Sequence, residues 1–361
     1  MAGMKAGIIG LGRIGWTLED DPKRDHPCTH AGALSYMDEV ELVAGSSLRP
    51  ESAEAFRARY GLKKAYTNYL QMIQENALDI VGIATHPQTH AQIVKDIAAT
   101  GIKGILCEKP LALSLEDADE MIEICHKNGV ILMTMHNRRW NGIYRKAKEL
   151  IDSGALGKVN TAVGVCQSCN PNKKMQSQYE GPLLHDATHL FDIMRFLMGE
   201  AQWVISDVER ANSQAVVEDN AAVLMRFNNG AYATTFVNER TDYMRFELEI
   251  QCSKAVLMLQ TNTARLLTLA DSPYVSGVQA LTETAFPQTV PMNAFKEAYG
   301  ELVASIRQGR NISVSTGEDG RKCLEIVMAI YESKRQGSKK IPLPLSGGES
   351  SLVKAVRENA F

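Results

Sequence analysis

The stretch Lys5–Gly15, KAGIIGLGRIG, decides the fold of the N-terminal part of the chain. A short apolar segment, typical of a buried strand, runs directly into the glycine pattern Gly10–Gly15. The first glycine permits a tight turn, the second lets the backbone approach a pyrophosphate, and the third lets a helix pack closely on the strand. The pattern predicts a dinucleotide site that includes Gly10, Gly12, Arg13, Ile14 and Gly15.

Strand-like and helix-like segments alternate from Lys5 to Met135. The predicted strands are Lys5–Ile9, Val40–Gly45, Asp79–Ala84, Gly104–Cys107 and Val130–Met135. Amphipathic segments between them, such as Glu51–Tyr60 and Ala91–Thr100, predict helices that end at glycines. This alternation is typical of a parallel sheet with crossover helices. We therefore expect an α/β Rossmann domain over residues 1–136.

The pattern changes after His136. Predicted strands follow at Lys158–Ser168, Trp203–Arg210, Ala221–Phe227, Ala231–Asn238 and Phe246–Leu259. Predicted helices cover Gly142–Ser153, Asp186–Met198, Met292–Gln308 and Gly317–Arg335. Asn228-Asn229-Gly230 indicates a hairpin, because these residues tolerate positive φ. Residues 137–361 are thus predicted to form a mostly antiparallel α+β domain.

Composition limits the classes of function. The 361 residues suffice for two domains, and the net charge of −3 argues against a nucleic-acid partner. No apolar run reaches the roughly 18 residues of a membrane span. The N-terminus runs directly into the first strand, so we expect no signal peptide. Seven irregularly spaced cysteines favour reduced thiols and a cytoplasmic location.

The end of the second predicted strand carries Ser46-Ser47-Leu48-Arg49 where an acid would hydrogen-bond the ribose of NAD. The hydroxyl of Ser47 and the guanidinium of Arg49 would instead tolerate or attract a 2′-phosphate. We therefore predict that NADP is preferred over NAD. The alternative is that Arg49 points into solvent.

Four features together resemble the Gfo/Idh/MocA family, which includes glucose–fructose oxidoreductase and inositol dehydrogenase. They are the glycine pattern Gly10–Gly15, Glu108-Lys109-Pro110, His136-Asn137-Arg138-Arg139, and His185-Asp186-Ala187-Thr188-His189. The features span both predicted domains in the order that the family has. The resemblance implies an open antiparallel sheet in the second domain, through which the chain forms a homodimer or homotetramer. It also implies reversible oxidation of a hydroxyl on a sugar, cyclitol or related polyol.

The resemblance assigns roles around the cofactor. Lys109, after Glu108 at the end of a strand, is the family's lysine that contacts the substrate hydroxyl and the cofactor ribose. An ammonium at this place can stabilise developing alkoxide charge. The loop of Thr85 and His86 is expected beside the nicotinamide half of the cofactor. The alternative for Lys109 is a surface salt bridge to Glu108.

The histidine motif departs from the family pattern. His189 matches the family's acid/base histidine, whereas His185 stands where the family usually has aspartate and Ala187 replaces the usual glycine. Imidazole titrates near neutrality, so either histidine could accept the hydroxyl proton. The two share a face if one helix begins at or before His185. Asp186 is a further candidate for substrate contact.

Other polar groups are weaker candidates. Asn137 and Arg138 follow the last Rossmann strand, where they and Arg139 could hold substrate hydroxyls or fix the domain junction. A polar loop, Asn170–Lys174, could line the substrate site but is more typical of a solvated loop. Two histidines four residues apart, with Cys28, Cys166 or Cys169, could ligate zinc. No second Cys pair accompanies Cys166 and Cys169, so we predict no metal.

These assignments predict that the substrate hydroxyl lies between Lys109 and His189 while hydride moves to the nicotinamide. Two alternatives stay open. An NAD-dependent glycosidase of the same fold would oxidise a sugar transiently without net cofactor reduction. A non-enzymatic dinucleotide sensor would bind the cofactor without hydride transfer, and would need neither Lys109 nor His189.

Overall fold

The computed structural model describes residues 3–168, 181–212, 215–346 and 348–361. Two compact units are present: the first contains Met1–Trp140 and Met292–Lys322, and the second contains Asn141–Pro291 and Cys323–Phe361. The sequence predicts one division near residue 136 and places everything after it in the second domain. The structure differs in that residues 292–322 belong to the first unit. Apolar side chains from this segment, among them Phe295, Tyr299 and Leu302, complete the core of that unit.

The helices and strands of the described residues are numbered in chain order. The helices are α1 (His30–Ser35), α2 (Pro50–Tyr60), α3 (Tyr69–Asn76), α4 (His90–Ile97), α5 (Leu115–Lys127), α6 (Gly142–Asp152), α7 (Pro182–His185), α8 (Ala187–Met198), α9 (Ala294–Gln308), α10 (Gly317–Arg335) and α11 (Ser351–Arg357). The strands are β1 (Met4–Ile9), β2 (Val40–Ser46), β3 (Ile80–Ile83), β4 (Gly104–Cys107), β5 (Ile131–Thr134), β6 (Val159–Gln167), β7 (Ala201–Glu209), β8 (Asn220–Phe227), β9 (Tyr232–Asn238), β10 (Arg245–Cys252), β11 (Ala255–Gln260), β12 (Ala264–Asp271), β13 (Gln279–Thr284) and β14 (Ile341–Pro342).

The first unit is built on a parallel sheet with the strand order β2-β1-β3-β4-β5 among the described residues. The five predicted strands and the Rossmann-type fold are therefore confirmed. The chain moves from β1 outward to β2 and then returns to β3 on the other side of β1. Such a reversal of strand order creates a crevice at the carboxyl ends of the strands, where open α/β sheets bind ligands. Helix α9 packs against β4 and β5.

The second unit contains a sheet with the order β13-β12-β11-β10-β6-β9-β8-β7-β14 within the described part of the chain. All its neighbouring strands are antiparallel except β6 and β9, which run parallel. The open, mostly antiparallel sheet is thus confirmed. The predicted hairpin between β8 and β9 is also present, with Gly230 at φ +90° and the Phe227 N–H donating to the Ala231 carbonyl.

One predicted strand is wrong in its extent. Phe246–Leu259 forms two antiparallel strands, β10 and β11, that turn at Ser253 and Lys254. The Ser253 N–H donates to the Lys158 carbonyl, so the turn is fixed by a residue far away in the sequence. The apolar alternation continues across this turn, and periodicity alone does not reveal it. Helix α3 and strands β12 and β13 were not predicted either.

Candidate active site

The carboxyl ends of the first unit's strands form one straight edge. In the strand register Ile9 pairs with both Ser46 and Ile83, Ile83 pairs with Cys107, and Cys107 pairs with Thr134. Each of these residues is the last of its strand. The residues that follow them therefore share one edge. Those residues include the predicted cofactor-binding residues Gly10, Ser47, Thr85, Glu108 and Lys109.

The three glycines of the loop after β1 have different environments. Gly10 has φ +100°, and a Cβ there would lie 2.6 Å from the Ala84 carbonyl. A Cβ at Gly15 would lie 2.2 Å from the Gly10 carbonyl oxygen. Gly12 differs, because none of the described atoms lies within 4 Å of its Cβ position. Packing explains Gly10 and Gly15, whereas Gly12 leaves open space in which a phosphate could approach the backbone.

The helix that follows the loop is interrupted by an insertion. Exposed Arg13 and half-buried Ile14 lie in the turn after Gly12, and a 3-10 segment covers Thr17–Asp20. Helix α1 then begins at His30, whose N–H donates to the Ile14 carbonyl, while the Ala31 N–H donates to the Gly15 carbonyl. Residues 16–29 thus form an insertion between the turn after Gly12 and α1, and these two hydrogen bonds join its ends.

Gly12→Val is expected to weaken dinucleotide binding about tenfold or more without lowering stability, because a side chain would fill the open space. Tenfold weaker binding corresponds to about 1.4 kcal/mol. Fluorescence titration with NADH and NADPH measures the binding, and thermal unfolding measures the stability. Gly300→Val is the matched control, because its Cβ position is also clear of described atoms and lies in α9. Unchanged binding in Gly12→Val would remove the glycine loop from the site.

The segment after β2 presents polar groups at the start of α2. The Arg49 N–H donates to the Ser47 hydroxyl at 3.2 Å, and Arg49 precedes Pro50 as the N-cap residue of the helix. Ser47 is half-buried, and Arg49 is exposed. Both predicted ribose-binding residues therefore lie together at the edge formed by the strand ends.

The loop after β3 is tied to the loop after β4 by His90, a residue whose role the sequence analysis did not predict. His90 is fully buried, with Nε2 3.2 Å from the Thr85 carbonyl. Its Nδ1 lies 3.1 Å from the Pro110 carbonyl and 3.2 Å from the Leu111 carbonyl. Burial lowers the pKa of His90. The ring thereby connects the expected nicotinamide loop, which also contains exposed His86, to the segment that follows Lys109.

Glu108 is directed into the protein. Its Oε1 lies 3.2 Å from Nε2 of His30, and its Oε2 accepts the Lys109 N–H at 3.1 Å. Nδ1 of His30 lies 2.7 Å from the Tyr299 hydroxyl. Burial raises the pKa of Glu108, but the hydrogen bond from His30 and the charges of His30 and Lys109 outweigh burial, so its pKa is lowered. The carboxylate therefore stays ionised next to half-buried Lys109, and one of its oxygens contacts His30.

The segment after β5 separates into two roles. Asn137 and Arg138, the predicted substrate-contacting pair, are half-buried in a 3-10 segment, Asn137–Trp140. Arg139 is buried, donates to the Val314 carbonyl and lies 3.1 Å from Asp319. Arg139 therefore joins two segments within the first unit, as expected of a residue that fixes structure.

The histidine motif of the second unit lies at a break between two helices. Helix α7 ends at His185 and α8 begins at Ala187, so the predicted helix Asp186–Met198 is confirmed to within one residue, and His185 and His189 lie in different helices. The His189 N–H donates to the Asp186 carbonyl. His185 is exposed, and its Nδ1 lies 3.1 Å from Oδ1 of Asp186. His189 is half-buried at the start of α8.

A buried acid supports this motif from below. Oε1 of Glu218 accepts the Leu183 N–H at 3.1 Å, and the carboxyl fills the space where a Cβ of Gly181 would lie. Glu218 is fully buried, and burial raises its pKa to about 8. At neutral pH the residue is therefore mainly protonated and holds the start of α7. No sequence signal distinguishes it from the solvent-exposed acids.

Among the described residues, two clusters within single units bring potential metal ligands within 4.8 Å: Glu19, His26 and Cys28, and His185, Asp186 and Glu239. In the first cluster, Glu19 also accepts hydrogen bonds from the Cys28 N–H and the Thr29 hydroxyl. These bonds give the carboxylate a structural role in holding the insertion of residues 16–29 together. Burial and Glu19 raise the pKa of Cys28 to about 11, which disfavours the thiolate that a metal needs.

Of the three cysteines named as possible zinc ligands, Cys28 and Cys166 lie among the described residues. Cys166 is buried in β6, whereas Cys169 and the polar loop 170–174 lie outside the described residues. The absence of a metal stays a prediction.

Comparison with known proteins adds an independent finding. Residues 4–136 match the family model described as an oxidoreductase family with an NAD-binding Rossmann fold, and residues 144–258 match the GFO/IDH/MocA C-terminal domain. Myo-inositol 2-dehydrogenase of Thermotoga maritima is 29% identical over 337 residues, which cover 91% of this chain and 96% of that protein.

Two solved structures share the fold. Levoglucosan dehydrogenase in complex with NADH and L-sorbose has a TM-score of 0.80 and 20% identity, covering 96% of this chain and 100% of that one. A putative NADPH-dependent oxidoreductase from Desulfitobacterium hafniense has a TM-score of 0.81 and 20% identity, covering 95% and 98%.

Proposed function

The chain belongs to the Gfo/Idh/MocA family of oxidoreductases, and from that premise we propose that it transfers hydride between a nicotinamide dinucleotide and a hydroxyl-bearing carbon of a sugar, cyclitol or related polyol. The observation that carries the proposal is the shared edge of the first unit's strands. At this edge the glycine loop and Lys109 follow strands that end in register. The relatives support the substrate class, since one is named for myo-inositol and another for levoglucosan.

The glycine loop would hold the cofactor. Gly12 leaves room for the pyrophosphate, and the backbone N–H groups of Arg13 and Ile14 would face it. Thr85 and His86 would lie beside the nicotinamide, in the loop that contacts Gly10. When bound, the nicotinamide supplies the hydride acceptor at C4.

Lys109 would act on the hydroxyl that is oxidised. Lys109 is half-buried and interacts electrostatically with the ionised carboxylate of Glu108, and its ammonium would stabilise negative charge that develops on the hydroxyl oxygen. Glu108 would contribute through Lys109 rather than by touching the cofactor. This assignment changes the expected role of Glu108, because its two oxygens contact His30 and the Lys109 N–H.

His189 would accept the hydroxyl proton. An imidazole can take a proton and later return it, as a reversible dehydrogenase requires. His185 and Asp186 would assist as a contacting pair at the break between α7 and α8, with Asp186 also contacting substrate hydroxyls. Asn137 and Arg138 would bind other hydroxyls of the substrate.

A spectrophotometric screen tests the proposal. Sugars, cyclitols and keto-sugars are incubated with NAD, NADP and their reduced forms, and Gly12→Val provides the background rate. Net cofactor reduction with a polyol, lost in Gly12→Val, is the expected result. Glycoside cleavage without net reduction would support the glycosidase alternative. Cofactor binding without turnover on any compound would support the sensor. The relatives, which are named dehydrogenases, favour neither alternative.

For cofactor choice we keep NADP as the preferred form and NAD as the second. Arg49 and Ser47 at the start of α2 support the preference, because a guanidinium and a hydroxyl suit a 2′-phosphate. Arg49→Ala is expected to weaken NADPH binding about tenfold or more, since hydrogen bonds to charged groups contribute about 1.5–3 kcal/mol. NADH binding should stay unchanged in the same fluorescence titration. Tighter NADH than NADPH binding by the wild type, unaltered in Arg49→Ala, would contradict the preference.

We also propose a homodimer or homotetramer formed through the open sheet of the second unit. Val163, Tyr232 and Phe236 lie on adjacent strands β6 and β9 and are 37%, 43% and 52% exposed. A continuous apolar area of this kind on a sheet face commonly marks a protein interface.

A cytoplasmic location is the third proposal. It rests on free cysteines, including partly exposed Cys28 and Cys252. Among the described residues, no helix is both long and apolar enough to cross a bilayer.

A further inference from the structure

A buried chain of polar groups within the first unit leads to Lys109. His30 at the start of α1 is fully buried and contacts Tyr299 of α9 and Glu108 after β4. Strand β3 makes room for it, because a Cβ at Gly82 would lie 2.4 Å from the Tyr299 hydroxyl and 3.2 Å from Nδ1 of His30. Four elements thus converge on one imidazole. The contacts span 78 and 269 residues of sequence.

The hydrogen bonds of this chain have one consistent direction. An ionised carboxylate only accepts hydrogen bonds, so Nε2 of His30 must carry the proton that Glu108 accepts. In the tautomer that carries its proton on Nε2, Nδ1 of His30 accepts a hydrogen bond, and the Tyr299 hydroxyl donates to it. Burial and Glu108 keep the pKa of Tyr299 well above its ordinary value, so this hydroxyl stays protonated. Tyr299 therefore selects the His30 tautomer that donates to Glu108.

We propose that His30, held by Tyr299, is a positioning residue for Lys109. It fixes one oxygen of Glu108, so that the other oxygen accepts the Lys109 backbone N–H and the carboxylate keeps its electrostatic interaction with Lys109. The inference rests on the proposed function, because it gives His30 a role only if Lys109 acts on the substrate.

The packing around His30 explains why a small change there would reach Lys109. The ring is enclosed edge-on by Phe295 at 5.2 Å and by Tyr299 at 5.8 Å between ring centroids. These contacts fix the orientation of the His30 ring. The Glu108 carboxylate that contacts Nε2 is therefore held in one position. Displacement of a catalytic group by about 1 Å can lower a rate about 100-fold.

Glu108 has other titratable neighbours, and any pH experiment must account for them. Besides His30, the groups that interact electrostatically with its carboxylate are Lys109, His90, Cys107 and Tyr299. Burial holds His90 towards its neutral form and Cys107 and Tyr299 in their protonated forms. Lys109 and His30 are therefore the groups whose charge or hydrogen bonding can stabilise the carboxylate.

Replacing His30 with leucine removes the donor, whereas replacing it with glutamine keeps an N–H near the place of Nε2. His30→Leu is expected to lower kcat about 10- to 100-fold, and His30→Gln to restore most of that loss. KM for the polyol should change less than kcat, because the substrate-binding groups are untouched. Tyr299→Phe, which keeps the volume but loses the hydroxyl, should lower kcat in the same direction. Tyr69→Phe is its control, since Tyr69 donates to Asp96 on the surface of the same unit.

Stability measured against pH gives a readout that does not depend on turnover. In the wild type the lowered pKa of Glu108 stabilises the fold above the ordinary carboxyl value of about 4.3, and this contribution is lost as pH falls. In His30→Leu burial would raise that pKa, so ionisation would oppose folding as pH rises. The difference in unfolding free energy between the two proteins should therefore grow as pH rises from below about 4.3 to above it. A role in packing alone would leave the difference unchanged through the carboxyl range, because the deleted imidazole titrates in the unfolded chain only near about pH 6.5.

The outcomes separate the two proposals. If Lys109→Met keeps wild-type kcat, the proposed function fails whatever His30 does. If Lys109→Met is inactive but His30→Leu and Tyr299→Phe both keep wild-type kcat, the positioning role is overturned. A stability difference for His30→Leu that is unchanged through the carboxyl range would also overturn it. Loss of kcat in His30→Leu with recovery in His30→Gln, together with the pH-dependent difference, supports it.

Discussion

Lys109→Met should lower kcat about 100- to 1000-fold while the protein still binds its dinucleotide, because a single charged donor to a developing oxyanion contributes about that much. Methionine keeps the length and apolar stem of lysine but lacks the ammonium. The ionised Glu108, which interacts electrostatically with Lys109, would then lack that compensating positive charge. Initial rates of cofactor reduction measure the effect, and fluorescence titration measures the binding.

The control for Lys109→Met is Lys63→Met, which makes the same change at an exposed lysine of the first unit. Wild-type turnover is expected for Lys63→Met. A genuine substrate that Lys109→Met oxidises at the wild-type rate would show that the lysine lies outside the chemistry. Loss of dinucleotide binding in Lys109→Met would instead assign it to cofactor binding.

His189→Gln should lower kcat about 100- to 10,000-fold, the usual contribution of a positioned general base. Glutamine can hydrogen-bond a hydroxyl but cannot take its proton. In the wild type, imidazole protonation should lower kcat at acid pH. The residual kcat of His189→Gln should not show this decrease. Rates across a pH series measure both effects.

Comparison with His185→Gln and His126→Gln makes the result specific. His126 lies on the surface of α5, 3.0 Å from Glu318, and its replacement should leave kcat unchanged. His185 is exposed and its Nδ1 lies 3.1 Å from Oδ1 of Asp186, so its loss should cost less than that of His189. If His185→Gln has the larger effect, the proton acceptor has been assigned to the wrong histidine.

The first unit could be predicted closely because its signals are local. Each strand is a short apolar run, and the residues of the proposed site, such as Gly10 and Lys109, follow the strand ends directly. Once the sheet is parallel, the register aligns those ends without further information. Gly12 is the clearest case, since the predicted open approach matches empty space around its Cβ position.

What the sequence did not show depends on contacts between distant residues. His30 follows an insertion, and its partners Glu108 and Tyr299 lie far along the chain, so nothing near it in the sequence marks it. Glu218 resembles any surface glutamate until the fold buries it. In each case tertiary packing, which periodicity does not contain, decides the outcome.

The return of residues 292–322 to the first unit has a consequence for biosynthesis. The last parallel strand is complete at Thr134, but Tyr299 and Leu302, which cover its neighbours, leave the ribosome only after about 160 further residues have been added, at the ordinary rate of about 5–20 residues per second. A nascent N-terminal sheet must therefore wait for many seconds with an apolar face uncovered. Premature termination anywhere before α9 would leave a product that chaperones and proteases recognise as unfinished.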